Sequence, residues 1–153
     1  MKKKIMDSVL LSLLLTAVTA GTAMLFVDTK SEWYISLIKP VIQPPPLVFA
    51  VVWTVVYLLC AASLTFAQLK DAPVKVYVLY GIQAVLNIAW CLFYFTLHLP
   101  LIAFGILLAY LVVCYLTIRQ VYPVSKTAAW LLVPPALWLV FAAVLNYMIL
   151  LLN

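Results

Sequence analysis

The stretch Val76–Ile118, VYVLYGIQAVLNIAWCLFYFTLHLPLIAFGILLAYLVVCYLTI, runs for 43 residues without a Lys, Arg, Asp or Glu. About 20 helical residues cross the roughly 30 Å of hydrocarbon in a bilayer, so this run is twice as long as one crossing needs. Its only polar break is Leu97-His98-Leu99-Pro100, and a proline there cannot continue the preceding helix. The run therefore predicts two membrane spans, 74–97 and 100–118, joined by a tight turn. On the N-terminal side lies a second uncharged run, Pro40–Leu69. Pro44, Pro45 and Pro46 deny helix to its start, leaving a span over 47–69. Ser8–Val27 supplies a further span over 8–27, and Thr127–Asn153 supplies a last one over 127–152.

Composition agrees. The 153 residues are 69% hydrophobic and 8% charged, against about half apolar and a quarter charged in soluble domains. So few charges cannot coat a globule, which would expose a large apolar patch. The expected fold class is an all-α membrane protein, one domain over 1–153 built as a five-transmembrane-helix bundle with the lipid bilayer as its first partner. The net charge of +5 does not indicate nucleic acid, because the cations punctuate the ends of apolar runs instead of forming a basic stripe with aromatics beside it. Lys2, Lys3, Lys4, Lys70, Lys75, Arg119 and Lys126 fall on one side of the five spans, and Lys30 and Lys39 on the other. Short loops rich in Lys and Arg stay inside, which predicts a cytoplasmic N terminus and a C terminus on the opposite side. The MKKK start and Ala20-Gly21-Thr22-Ala23 resemble parts of a signal peptide, but the apolar run continues through Met24–Val27, and a retained span is expected. With no long Arg- and Ser-rich extension ahead of it, the expected location is a prokaryotic cell membrane.

The connection 28–46 is by far the longest, and long ordered loops are more often lids or binding loops than idle chain. Small residues four apart, Ala17 with Gly21 and Gly105 with Ala109, allow close helix approach, most commonly inside a bundle. Asp7, Asp28, Glu32 and Asp71 all lie at span ends or in loops, so the interior lacks the carboxylate that a proton-coupled exporter requires. Cys60, Cys91 and Cys114 occupy three different spans without a CxxC pairing, and His98 is the sole histidine. No metal site is expected from that set, the cysteines read as buried thiols, and His98 reads as a solvated turn residue. A nucleophile, base and orienter cannot be assembled either.

Polar groups inside the spans are more informative. Gln83, Asn87, Trp90 and Tyr94 stand at offsets 0, 4, 7 and 11, within an arc of roughly 60° on an α-helix. Amides are too costly in hydrocarbon to face lipid, so this face looks into the bundle. Phe49, Trp53 and Tyr57 form a stripe on the second span, and Trp138, Ala142 and Leu145 form one on the fifth with Asn146 on its flank. Trp130 sits at a span end, where interfacial anchoring is usual. Trp53, Trp90 and Trp138 are several residues inside their runs. Three inward tryptophans with Tyr57 and two amides suit either an apolar ligand cavity with a few polar contacts or a packed aromatic core.

Spaced motifs along nearly the whole chain resemble the TspO/MBR family of tryptophan-rich sensory proteins, which includes the translocator protein or peripheral benzodiazepine receptor. They are Trp33-Tyr34, Lys39-Pro40, Pro44-Pro45, Trp53 and Tyr57, then Gln83, Asn87 and Trp90 with Phe95, then Val133-Pro134, Trp138, Phe141-Ala142 and Leu145-Asn146-Tyr147. The resemblance implies a five-helix bundle, often a homodimer, whose long first loop lids a pocket for porphyrins and other hydrophobic ligands. It implies pocket residues Trp53, Tyr57, Asn87, Trp90, Trp138, Ala142, Leu145 and Asn146, with Trp33, Lys39, Pro40, Pro44 and Pro45 shaping the lid; the inward stripes add Phe49 and Gln83 to the expected pocket, and Tyr34 beside Trp33 joins the expected lid. A tetrapyrrole such as protoporphyrin IX or a haem-like ring is the implied ligand, with no cofactor required. The leading expectation is a binding protein of sensor or regulator type. The alternatives are light-dependent porphyrin breakdown, with Trp53 and Trp138 beside the excited ring, and passive porphyrin or lipid transport. The chain departs from the family pattern at Ile42 and Leu47, where tryptophan is usual, and at Pro135, where tyrosine is usual. The first two alter lid recognition, and the third sharpens the kink expected at Pro134. An Arg or Lys does not follow Tyr147, so the cholesterol-recognition pattern is incomplete.

Overall fold

The computed structural model describes residues 2–153. The described residues form α1 (Lys2–Met24), α2 (Glu32–Ser36), α3 (Pro46–Leu69), α4 (Val74–Cys91) extended by a π-helical turn over Leu92–Thr96, α5 (Pro100–Val121), α6 (Lys126–Leu131) and α7 (Val133–Leu152). Five helical spans are long and apolar enough to cross a membrane: α1, α3, α4 with its π turn, α5, and α6 together with α7. The expected five-helix bundle is therefore present.

The helix ends follow from local chemistry. α1 begins at Lys2, ahead of residue 8, because lysine stems can lie along apolar surface while the ammonium groups stay in water. It closes at Met24, after which Leu25, Phe26 and Val27 donate their N–H groups to the carbonyls of Thr22, Ala23 and Met24 in tight turns. Pro46 opens α3 at its first position with Pro45 as the cap residue, a place where proline's missing N–H costs nothing. α5 continues past Ile118 to Val121 and takes Arg119 into its last turn, where a cation suits the helix dipole.

The fifth span bends at Leu132, between α6 and α7. Pro134 and Pro135 have no N–H to bond backward, and the Leu132 N–H turns to the Ala129 carbonyl at 3.1 Å. The Ala128 carbonyl then takes the hydroxyl of Ser63 on α3, at 2.6 Å. In lipid a backbone acceptor freed by a bend needs such a substitute from a neighbouring helix.

Packing closes the spans into a ring. α1 lies between α3 and α4, α4 beside α5, α5 beside α6 and α7, and α6 returns to α3, whereas α3 touches α7 only lightly. α3 and the fifth span thus meet firmly at the end carrying Lys2, Lys70 and Lys126 and separate toward the end carrying the 28–46 loop. One core cluster contains Trp90, Tyr94, Leu107, Tyr110, Leu139 and Ala142, and a second, at the lysine-rich end, contains Ala67, Val76, Val121, Ala128 and Leu132. The small-residue pairs correct one expectation. Ala17, Gly21, Gly105 and Ala109 are all exposed on the outside of the bundle, and a Cβ built on Gly21 or Gly105 meets nothing within 4 Å. They are not contact points between the five helices.

Candidate ligand-binding site beneath the 28–46 loop

The three inner tryptophans come together. Trp53 of α3 stacks on Trp90 of α4 with ring centroids 5.6 Å apart and planes 25° apart, and it meets Trp138 of α7 edge-on at 6.4 Å. Phe49 closes on Trp138 at 5.3 Å, one turn of α3 nearer the loop. Tyr57, one turn further in, lies 5.8 Å from Trp53. The i, i+4, i+8 stripe on α3 is thus an inward ladder, and the gap that opens between α3 and α7 places Trp53 and Trp138 opposite each other.

On α4 the expected stripe divides. Asn87, Trp90 and Tyr94 are buried, and the π turn brings the next residue, Phe95, onto the same cluster. Tyr94 and Phe95 lie 6.0 and 5.9 Å from Trp90 and 4.8 Å from each other. Such turns insert an extra residue into the helical phase and recur at functional sites. Gln83 is buried too, but its amide donates to Thr117 Oγ1 of α5 at 2.7 Å, about 10 Å along the helix from Trp90 at 1.5 Å per residue. It joins two helices. Asn146 is also spent on packing: its Oδ1 accepts the Trp90 indole N–H at 3.4 Å and its Nδ2 donates to the Pro100 carbonyl at 2.9 Å. Ala142 and Leu145 are buried on α7, and Ala142 packs in the same core cluster as Trp90.

Hydrogen bonding around the tryptophans is incomplete. Tyr57 donates to Asn87 Oδ1 at 2.7 Å, which leaves Asn87 Nδ2, on a residue only 1% exposed, with no acceptor. Trp138 Nε1 is buried and likewise has no acceptor among the described residues. Two donors, one on α4 and one on α7, are desolvated and unpaired, and each such group costs about 1–3 kcal/mol. Trp138 also lines a groove of about 330 Å³ between α3 and α7, with Val52, Val56, Leu59, Pro134 and Leu137. That groove faces the outside of the bundle, so Trp138 lies between the aromatic cluster and the lipid.

The loop covers this end. Asp28 Oδ1 accepts the Lys30 N–H and Ser31 Oγ accepts the Tyr34 N–H, which caps α2. Trp33 meets Tyr94 edge-on at 5.7 Å and stacks on His98 at 4.4 Å. His98, expected only as a solvated turn residue, is exposed but serves as the platform for the loop's tryptophan, and its φ of 54° is in the left-handed region, uncommon for a residue other than glycine. Tyr34 lies 5.6 Å from Phe95, and the Lys39 ammonium sits over its ring at 4.6 Å. Burial pushes the Tyr34 phenol above its ordinary pKa, partly opposed by the hydrogen bond from Gln43. Pro40 is buried, Pro44 half-buried and Pro45 exposed. Farther along, the side chain of Asn153 pairs with the loop backbone: Oδ1 accepts the Ile38 N–H at 2.9 Å and Nδ2 donates to the Ile38 carbonyl at 3.2 Å. Neither Asn153 nor His98 carried a signal in the sequence, because each acts only through a partner distant in the chain.

Residues 9–152 match the sequence pattern of the TspO/MBR family. The chain belongs to that family. It is 34% identical over 134 residues to the tryptophan-rich protein TspO of Chlorobaculum tepidum, covering 84% of each chain. It is 33% identical over 150 residues to the protein of the same name from Archaeoglobus fulgidus, covering 94% of this chain and 96% of that one. The sheep translocator protein is 36% identical over 122 residues, covering 76% of this chain and 72% of that one. Five apolar spans and this membership make the chain an integral multi-pass membrane protein, and the names of the TspO/MBR relatives fit a membrane sensor or binding role. Among the described residues no group of His, Cys, Asp and Glu is placed to hold a metal ion.

Proposed function

We propose that this TspO/MBR protein binds a flat hydrophobic ligand of the tetrapyrrole class, porphyrin above all, under the 28–46 loop between Trp53 and Trp138. The observation that carries this reading is the pair of unpaired buried donors, Asn87 Nδ2 and Trp138 Nε1, flanking an aromatic cluster. A planar ligand offers aromatic faces equivalent to those it displaces, and its polar edge supplies the acceptors that both donors lack. Lys39, exposed on the loop with its ammonium over the Tyr34 ring, would pair with a ligand carboxylate. The function is recognition, of sensor or regulator type.

Titration of protoporphyrin IX against tryptophan fluorescence tests this. Quenching that saturates, with weaker affinity in Trp53→Phe and Trp138→Phe, supports the site. No quenching in the parent, or affinities unchanged in both variants, removes it. Light-dependent breakdown is the second reading, because a ring bound here would touch two oxidisable indoles. Loss of the porphyrin spectrum under light and oxygen that is absent in the dark and in Trp138→Phe would support it, and a spectrum unchanged under light in the parent would exclude it. The excess of Lys and Arg at the lysine-rich end supports a cytoplasmic position for it. A homodimer is inferred from the family resemblance alone, and cross-linking in the membrane tests it.

A further inference from the structure

A second groove, of about 420 Å³, runs between α1 and α3 on the outside of the bundle at its lysine-rich half. Ile5, Val9 and Leu13, one turn apart on α1, form one wall, and Leu58 and Phe66 of α3 form the other with Ala62 between them. The floor is apolar in effect: Ala61 is buried, and the Thr65 hydroxyl is spent on the Ala61 carbonyl at 2.9 Å. Behind it the helices are tied by Gln68 Nε2 donating to Ser12 Oγ at 3.1 Å. The groove is thus a fixed feature.

Its inner end is closed by charge. Lys4 Nζ reaches Asp71 at 2.8 and 2.9 Å and the Leu69 carbonyl at 3.4 Å, bridging α1 to the end of α3. That pair neutralises Asp71 and leaves Lys2 and Lys3, just before it on α1, and Lys70, just after Leu69, exposed with no ion pair among the described residues. An apolar channel at membrane depth that ends in exposed ammonium groups has the two chemistries of an anionic phospholipid in the right order. A second copy packed through this face would set one lysine cluster against another, a like-charge contact that opposes association.

We propose that the α1–α3 groove binds one anionic phospholipid, with an acyl chain along Ile5–Leu13 and the phosphate at Lys2, Lys3 and Lys70. This site is separate from the aromatic cluster and does not rest on the tetrapyrrole reading. The protein is reconstituted in bilayers of phosphatidylcholine with a minor share of phosphatidylglycerol, and the lipids retained after mild detergent extraction are weighed by native mass spectrometry. Phosphatidylglycerol should be retained over phosphatidylcholine. A lysine near an anionic surface contributes about fivefold in affinity, so Lys2→Gln, Lys3→Gln and Lys70→Gln together should lower retention by roughly a hundredfold. Ala62→Phe, which fills the groove and keeps every charge, should also abolish it, and covers the case in which the triple variant inserts poorly. Lys126→Gln, a cation at the same membrane end but off the groove, should have no effect. Equal retention of both lipids, loss on Lys126→Gln as large as in the triple variant, or retention unchanged by Ala62→Phe would overturn the proposal. So would loss of a dimer on Ala62→Phe, which would make the occupant a second copy.

Discussion

The two halves of the bundle are held together in different ways. Toward the lysine-rich end, polar side chains are paired across helices: Ser63 with Ala128 and Tyr80, Gln83 with Thr117, Gln68 with Ser12. Around these pairs lie small residues such as Ala67, Ala128 and Ala129, which let the backbones approach. At the loop end the contacts are aromatic, α4 departs from α geometry, His98 adopts a left-handed conformation, and both unpaired buried donors are found there. A scaffold satisfies its polar groups internally, whereas a binding site keeps some for its ligand. On the function proposed above, the halves divide along that line.

The largest expected effect is at the lysine-rich end, where the polar groups are satisfied. Ser63→Val removes the partner of both the Ala128 carbonyl and the Tyr80 hydroxyl, and should cost about 2–3 kcal/mol of stability, read as a lower unfolding temperature in detergent. Protoporphyrin affinity should stay unchanged. Thr117→Val strands Gln83 Nε2 and should cost about 1–2 kcal/mol by the same measurement. If Thr117→Val weakens ligand binding as much as it weakens the fold, Gln83 belongs to the site after all and the two halves are not separable.

Trp138→Phe inverts the sign. It deletes a buried N–H that has no acceptor, so the ligand-free protein should lose less than about 1 kcal/mol or gain stability. Binding should fall by about tenfold, the value of one hydrogen bond of about 1.4 kcal/mol. A variant that loses stability and keeps affinity would show that Trp138 is packing and nothing more.

These contrasts also mark what the residues alone disclose. Five spans are legible because hydrocarbon thickness fixes helix length, and the start of α3 because three prolines leave few alternatives. Trp53, Trp90 and Trp138 are legible as inward because each lies well inside its apolar run. The stripe on α4 is only half legible: Gln83 and Asn87 share a helix face, yet they meet different neighbours because the crossing helix changes along the length of α4. The π turn at Leu92–Thr96 has no compositional mark, so an ideal 3.6-residue period carries Tyr94 to the right face and overlooks Phe95. The outward Gly21 and Gly105 show the limit of small-residue spacing, which says that a close approach is possible and is silent on which surface uses it.

The smallest effect tests whether the loop half is a cover or a fixed wall. Asn153 holds Ile38 by two hydrogen bonds from the end of α7, 115 residues away in the chain, while a third, from Nδ2 to the Ile149 carbonyl at 2.9 Å, orients the amide. Both bonds to the loop involve exposed groups, for which water competes, so Asn153→Ala should cost at most about 1 kcal/mol and only locally. The unfolding temperature should not move. Amide exchange at Ile38 should speed up several-fold, and protoporphyrin should both enter and leave faster with its Kd little changed, because the latch restrains passage and does not contact the Trp53–Trp138 cluster. Faster exchange with unaltered ligand kinetics would mean that the ligand reaches Trp138 by another route, and the α3–α7 groove that Trp138 lines would then be the entrance to examine.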